Sequence, residues 1–160
     1  MPSKIAIGVI GGNTVSAQTA EAAYETGKHI AKNGAVLVCG GLGGVMEAAS
    51  KGAAENGGYV VGILPGENKY AANPYVHICI PTGMGTGRNL LVVHASDALI
   101  AFPGSYGTLS EISFALTLGK SVVYMPGTWD LRKIGRIDSA LYKEAFDAAQ
   151  AVGIALNTCK

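Results

Sequence analysis

The chain has 160 residues and a formal net charge of +1, with 14% charged and 49% hydrophobic residues, where soluble domains usually carry about 25% charged residues. A near-zero charge with no Lys/Arg cluster excludes the electrostatic footprint of a nucleic-acid surface, and no apolar run approaches the roughly 20 residues of a membrane span. The apolar surplus exceeds what one small interior can hide, which predicts a homo-oligomer, a dimer or tetramer.

The elements follow in chain order. Residues Lys4–Ile10 read as a first strand rather than a signal peptide, because glycines interrupt the apolar run and no cleavage site follows. A helix over Ser16–Asn33 ends at Gly34. Ala35–Cys39 is a second strand and Gly44–Glu55 a small-residue helix. Tyr59–Leu64 is a third strand, Pro65–Pro74 a polar turn-forming loop, and Val76–Ile80 a short fourth strand. Gly87–Ala95 reads as a helix, Ala98–Phe102 as the fifth strand, and Tyr106–Leu118 as a helix stopped by Gly119. Ser121–Tyr124 is a sixth strand. Ser139–Val152 is read as a final amphipathic helix, with Tyr124 and Trp129 packed near it and Ile154–Leu156 as an edge strand. Strands alternating with helices predict an α/β fold: a Rossmann-like, doubly wound, mainly parallel sheet with helices on both faces. No linker divides the chain, so residues 1–160 are expected to form one ligand-binding domain. The helix carrying Leu109, Ile112 and Leu116 also bears Phe114 and Leu118 round its side, a girth suited to burial against a second copy.

The three cysteines, Cys39, Cys79 and Cys159, make neither a disulfide framework nor a zinc site, which places the chain in a reducing, cytoplasmic compartment. His29, His77 and His94 are too dispersed for a metal site. No protein-ligated metal is expected.

Three glycine-rich turns each follow a predicted strand: Gly11-Gly12-Asn13, Gly40-Gly41-Leu42-Gly43-Gly44, and Pro103-Gly104-Ser105-Tyr106-Gly107-Thr108. In an open parallel sheet the strand C-terminal ends share one edge, where ligands bind. Glycine brings the backbone close to a ligand, and helix starts offer free N–H groups and a favourable dipole to an anion. The turns therefore predict a small phosphorylated ligand held by main-chain donors at Gly43–Met46, including Val45, and at Ser105–Thr108. Two motif matches fail. The run after Gly41 lacks the third glycine of a dinucleotide fingerprint, and Gly119-Lys120-Ser121 sits at a helix end rather than a helix start.

Arg88 opens a helix after Gly83, Gly85 and Gly87 and precedes Asn89; its guanidinium reads either as a two-pronged anion clamp or as an ordinary surface group. Thr108-x-x-Glu111 fits a capping box, in which the carboxylate reaches back to the helix start. The same Glu111, one turn inside a pocket helix, also suits a general acid or base. Spacing favours the cap. Glu47 poses the same choice.

The runs Gly40–Glu47 and Pro103–Glu111, with Gly87-Arg88-Asn89 between them, resemble the superfamily of LOG-type proteins, long labelled lysine decarboxylases, which includes cytokinin-activating phosphoribohydrolases. The likeness spans nearly the whole chain. It looks closest to the branch of molybdenum cofactor carrier proteins, Rossmann-like homo-oligomers that bind a phosphorylated pterin without transforming it. The resemblance implies molybdenum cofactor (molybdopterin) as ligand, or else a nucleoside monophosphate cleaved to free base. It maps the enzymes' Arg and Glu onto Arg88 and Glu111. Two departures from the enzyme pattern, Ser105 in place of a glycine and Asn89 in place of a lysine, leave phosphate binding intact and tilt the reading toward a carrier.

Overall fold

The computed structural model describes residues 3–127, 129–133 and 137–159. One seven-stranded, wholly parallel sheet runs through it: β1 (Ala6–Ile10), β2 (Val36–Cys39), β3 (Val60–Leu64), β4 (Ile78–Pro81), β5 (Ala98–Ala101), β6 (Val122–Tyr124) and β7 (Tyr142–Glu144). The order across the sheet is β4-β3-β2-β1-β5-β6-β7. Both neighbours of β1 are parallel to it, Ala6 opposing Val36 on one side and Ile7 opposing Ala98 on the other. The chain thus winds outward from β1 in one direction, then restarts at β5 in the other. That reversal opens a crevice beyond the C-terminal ends of β1 and β5, the position where doubly wound sheets take ligands.

The five helices are α1 (Ala17–Lys32), α2 (Val45–Glu55), α3 (Arg88–His94), α4 (Tyr106–Thr117) and α5 (Ala148–Thr158). Ser16 caps α1 by accepting the Thr19 N–H at 3.2 Å, the side-chain bond that a Ser before an apolar-periodic run provides. Helices α1, α2 and α5 cover one face around Ile7, Val9, Leu37, Ala49 and Ile100. Helices α3 and α4 cover the other around Ile10, Val92, Leu99, Ile112 and Tyr124. Buried on both faces, the inner strands β1, β2, β3, β5 and β6 read as continuous apolar runs rather than alternating ones. Helices α1 and α2 cross closely because Gly27 and Gly52 face each other's backbone; a Cβ on either would collide with the carbonyl of Ala49 or Tyr24.

Six predicted strands and four helices appear within a residue or two of their expected bounds. The chain after β6 differs. Residues expected as one helix over Ser139–Val152 divide into β7, which pairs with β6 through Tyr142 opposite Val122, and α5, which begins at Ala148. Asp147 makes the division: its side chain accepts the Gln150 N–H at 2.8 Å and starts the helix there. Ile154–Leu156, expected as an edge strand, lies inside α5. Tyr124 and Trp129 pack on the α3/α4 face rather than near the last helix; Tyr124 stacks on Tyr142, ring centroids 6.3 Å apart. Asp97 ties the turn before β5 to β1, accepting the Ala6 N–H at 2.8 Å. Lys120, from the rejected P-loop match, donates to the carbonyls of Val93, His94 and Ser96 and closes the end of α3. Among the described residues no helix is long and apolar enough to cross a membrane.

Candidate functional site

A cleft of about 240 Å³ opens at the sheet reversal. Of the residues singled out in the sequence, Gly11, Gly12, Asn13, Met46, Arg88, Asn89, Ser105, Gly107, Thr108 and Glu111 line it. Pro103 and Gly104 line a second cleft of about 460 Å³ over the β1–α1 loop, which shares Gly12, Asn13 and Ser105 with the first. Gly41, Gly43, Gly44, Val45 and Tyr106 line neither. Gly40, Leu42, Pro65, Gly85 and Thr86 line the first cleft and were not singled out as ligand contacts. Only Gly40 and Gly85 carried a signal, as members of the glycine runs.

The two helix starts differ in chemistry. At α2, Gly43 donates its N–H to the Asn13 side-chain oxygen at 3.0 Å and Val45 donates to the Gly12 carbonyl at 3.0 Å. Gly44 has φ +61°, and a Cβ there would strike the Gly12 carbonyl and the Asn13 backbone. Asn73 binds the rest of this turn, its backbone donating to Gly41 O at 2.9 Å and its side chain to Leu42 O at 2.9 Å. The donors expected to hold a ligand at Gly43 and Val45 are consumed within the protein.

At α4 the donors stay free. Ser105 precedes the helix but gives no side-chain cap, and among the described residues no protein acceptor engages the N–H groups of Tyr106, Gly107 or Thr108. Gly104 is pressed between the Thr108 side chain and the Gly12 N–H, where a Cβ would not fit. Gly12 in turn donates to the Pro103 carbonyl at 3.0 Å, fixing this loop against β1. Asn89 secures the first turn from the other side, its amide donating to Ser110 Oγ at 3.1 Å and Gly107 O at 3.4 Å. Four N-terminal N–H groups of any helix need partners; here Ser105, Gly107 and Thr108 line the cleft, an arrangement that suits an anion.

Arg88 and Glu111 meet beneath these donors. They are 8% and 5% exposed, and Arg88 Nη1 lies 3.9 Å from Glu111 Oε1. That separation is too long for a hydrogen bond. Arg88 Nε is buried with no partner. Gly40 makes room for the guanidinium, since a Cβ there would strike it. Burial pushes the Glu111 carboxyl up to about 7, against the opposing pull of Arg88, and lowers the Arg88 guanidinium from its ordinary value despite the attraction of Glu111. Desolvation outweighs pairing for both, as it does when a buried pair lacks further hydrogen bonds. Beneath them Cys39, wholly buried, has its thiol pushed up by desolvation.

The capping reading of Glu111 is corrected: α4 starts at Tyr106 with Ser105 as its cap position, so Thr108 is already inside the helix and Glu111 faces Arg88. An acid that titrates near neutrality beside a guanidinium can donate or accept a proton at a bound anion. Glu47, in the first turn of α2, is exposed and outside the cleft. His77 is structural, its Nδ1 accepting the Val60 N–H at 3.2 Å. Among the described residues no group of three or more His, Cys, Asp or Glu could hold a metal ion.

The description of the SLOG cluster4 family matches residues 4–158. An uncharacterized protein of Archaeoglobus fulgidus is 53% identical over 116 residues, 72% of this chain and 76% of that one. The cytokinin riboside 5'-monophosphate phosphoribohydrolase LOG of Oryza sativa is 33% identical over 61% of this chain; the matched part spans 41% of the rice protein. The molybdenum cofactor binding protein of Rippkaea orientalis superposes with a TM-score of 0.93 at 33% identity, covering 99% of both chains. The molybdenum cofactor carrier protein of Chlamydomonas reinhardtii superposes with a TM-score of 0.87 at 33% identity, covering 98% of both. With its parallel sheet, its crevice at the β1/β5 reversal and a family match over nearly its whole length, the chain belongs to the SLOG cluster4 family.

Proposed function

We propose that the protein is a cytoplasmic carrier for a phosphorylated pterin, molybdenum cofactor or molybdopterin, which it binds without chemical change. The observation that carries this reading is the uncapped start of α4 above the buried, incompletely paired Arg88. Free main-chain donors and a guanidinium fit a phosphate. The pterin part rests on full-length likeness to two molybdenum cofactor proteins. Ser105, Tyr106, Gly107 and Thr108 would hold the phosphate, Arg88 would supply positive charge, and Asn89 would keep the α4 turn in place. The metal would travel as part of the cargo. Calorimetric titration of purified protein with molybdopterin tests the reading: saturable binding that weakens at least about tenfold in Arg88→Ala, the loss of one charge-assisted contact, is expected. Absence of saturable binding would overturn it.

A second reading is favoured by one observation, the Glu111 carboxyl titrating near 7 beside Arg88. It makes the protein a nucleoside 5'-monophosphate phosphoribohydrolase, with Glu111 handling the proton of the attacking water and Arg88 steadying phosphate or ribose. Incubation with AMP and chromatography for adenine separates the two. Release that disappears in Glu111→Gln supports the enzyme; no release over hours supports the carrier.

A homo-oligomer, dimer or tetramer, belongs to the same proposal. Phe114 on α4 is 38% exposed and Leu118 at its C-terminal end 44%, and edge strand β4 leaves Ile78 54% exposed. Native mass spectrometry gives the subunit count, and a monomer at micromolar concentration would contradict it.

A further inference from the structure

The cleft beside Arg88 holds about 240 Å³, below the roughly 300–1,000 Å³ usual for sites that enclose a whole small molecule. It takes a phosphate and part of what is attached to it, short of a whole fused-ring ligand. The rest of a larger phosphorylated ligand would extend into neighbouring space, and two further clefts adjoin the first. The second cleft joins the first through Gly12, Asn13 and Ser105. A third groove of about 470 Å³ joins the second through Thr19 and Pro103.

That third groove is apolar. Phe102, Pro103, Met125 and Pro126 line it, with Gln18 and Thr19 as hydrogen-bonding groups and Phe146 beside them. Phe146 is 78% exposed although its backbone is pinned. It immediately precedes Asp147, which caps α5 by accepting the Gln150 N–H at 2.8 Å, and its own N–H donates to the Gln150 side chain at 2.9 Å. A large apolar residue just before a helix cap usually folds back onto the first turn as a hydrophobic staple. At the staple position Ala151 is fully buried without it, and Phe146 stands in solvent. An exposed aromatic side chain on a hydrogen-bonded backbone, beside apolar walls and with amide and hydroxyl groups on the same groove, matches a flat fused heterocycle: apolar on its faces, hydrogen-bonding round its edge.

We propose that this groove is a second subsite, in which Phe146 stacks on the ring system of the ligand whose phosphate sits at α4. The inference rests on the carrier reading for its choice of a pterin over a purine. Both share the flat, edge-polar chemistry, and the test distinguishes them.

Wild type, Phe146→Ala, Phe146→Trp and Ala22→Phe, which fills the groove because Ala22 on α1 lines it, are titrated with molybdopterin, AMP and inorganic phosphate, with thermal melts and native mass spectra recorded for each. Phe146→Ala is expected to weaken molybdopterin at least about tenfold, the scale of a lost ring stack, and to leave inorganic phosphate within twofold. Phe146→Trp retains the affinity, and Ala22→Phe reproduces the loss. Wild type that binds AMP and not molybdopterin, with Phe146→Ala weakening AMP, would keep the groove and overturn the carrier. Molybdopterin affinity unchanged in Phe146→Ala would overturn the groove and keep the carrier. Equal loss of ring ligand and phosphate, or a change in subunit count instead of affinity, would also overturn the groove.

Discussion

Two glycine-bearing turns precede helices at the same sheet edge, and they differ in how their backbone donors are used. The turn before α2 commits its Gly43 and Val45 N–H groups internally, to Asn13 and Gly12, while the Met46 and Glu47 N–H groups have no protein acceptor among the described residues. The turn before α4 keeps its donors free, with no cap from Ser105. The first ties itself to the β1–α1 loop, and the second leaves the Tyr106, Gly107 and Thr108 N–H groups unpaired among the described residues. A glycine-rich strand-to-helix turn therefore announces close backbone approach, but whether a ligand or another loop is approached depends on residues far away in the chain.

Substitutions can break or sharpen this contrast. The largest effect is expected at Gly44→Ala. A side chain at φ +61° against the Gly12 carbonyl combines backbone strain with a clash, costing more than about 3 kcal/mol of stability, measured by urea denaturation. At Gly104→Val the loss falls on binding instead. The new side chain would displace Thr108 and the Gly12 N–H, removing about two charge-assisted contacts at roughly 1.5–3 kcal/mol each, or at least about hundredfold in affinity, with the fold retained by circular dichroism. If Gly104→Val instead unfolds the chain and Gly44→Ala only weakens binding, the two turns have been assigned the wrong way round.

The α4 side also carries a cost that the α2 side lacks. The Glu111 carboxyl is raised from 4.5 to about 7 by burial, so the carboxyl ionises in the unfolded chain at lower pH than in the folded one. Its stabilising contribution is full below pH 4.5 and is lost as pH rises through 7. Glu111→Gln is therefore expected to gain on wild type by up to about 3 kcal/mol between pH 4.5 and 8, read as a widening gap in melting temperature. A gap that narrows with pH would mean that Arg88 holds the carboxylate ionised. The smallest change is expected at Asn13→Ala, where the Gly43 N–H loses its acceptor, at about 1 kcal/mol.

Much of the fold was legible because apolar strand runs and helix stops are local. Gly34 and Gly119, with φ of +73° and +71°, mark helix ends in the sequence and in space. The segment 139–156 reads differently in sequence and in space because Leu141, Ala145, Ala148 and Val152 fall at helical spacing whether or not the chain bends at Asp147. Tyr142–Glu144 becomes a strand only because β6 lies open beside it. In the site, Arg88 and Glu111 could be named from their motifs, but not their 3.9 Å approach or their shared burial. The cap reading of Glu111 failed because a Thr and a Glu three apart look the same wherever the helix starts. Phe146 carried no sequence signal, since its meaning comes from the groove beside it.

The contrast between the two helix starts can be observed without any substitution. Backbone amide NMR of ¹⁵N-labelled protein, titrated with inorganic phosphate and then with molybdopterin, reports each N–H separately. The expected result is progressive shifts at Tyr106, Gly107 and Thr108, with the amides of Gly43 and Val45 unmoved. Shifts at Gly43 and Val45 with those of α4 unmoved would contradict the account.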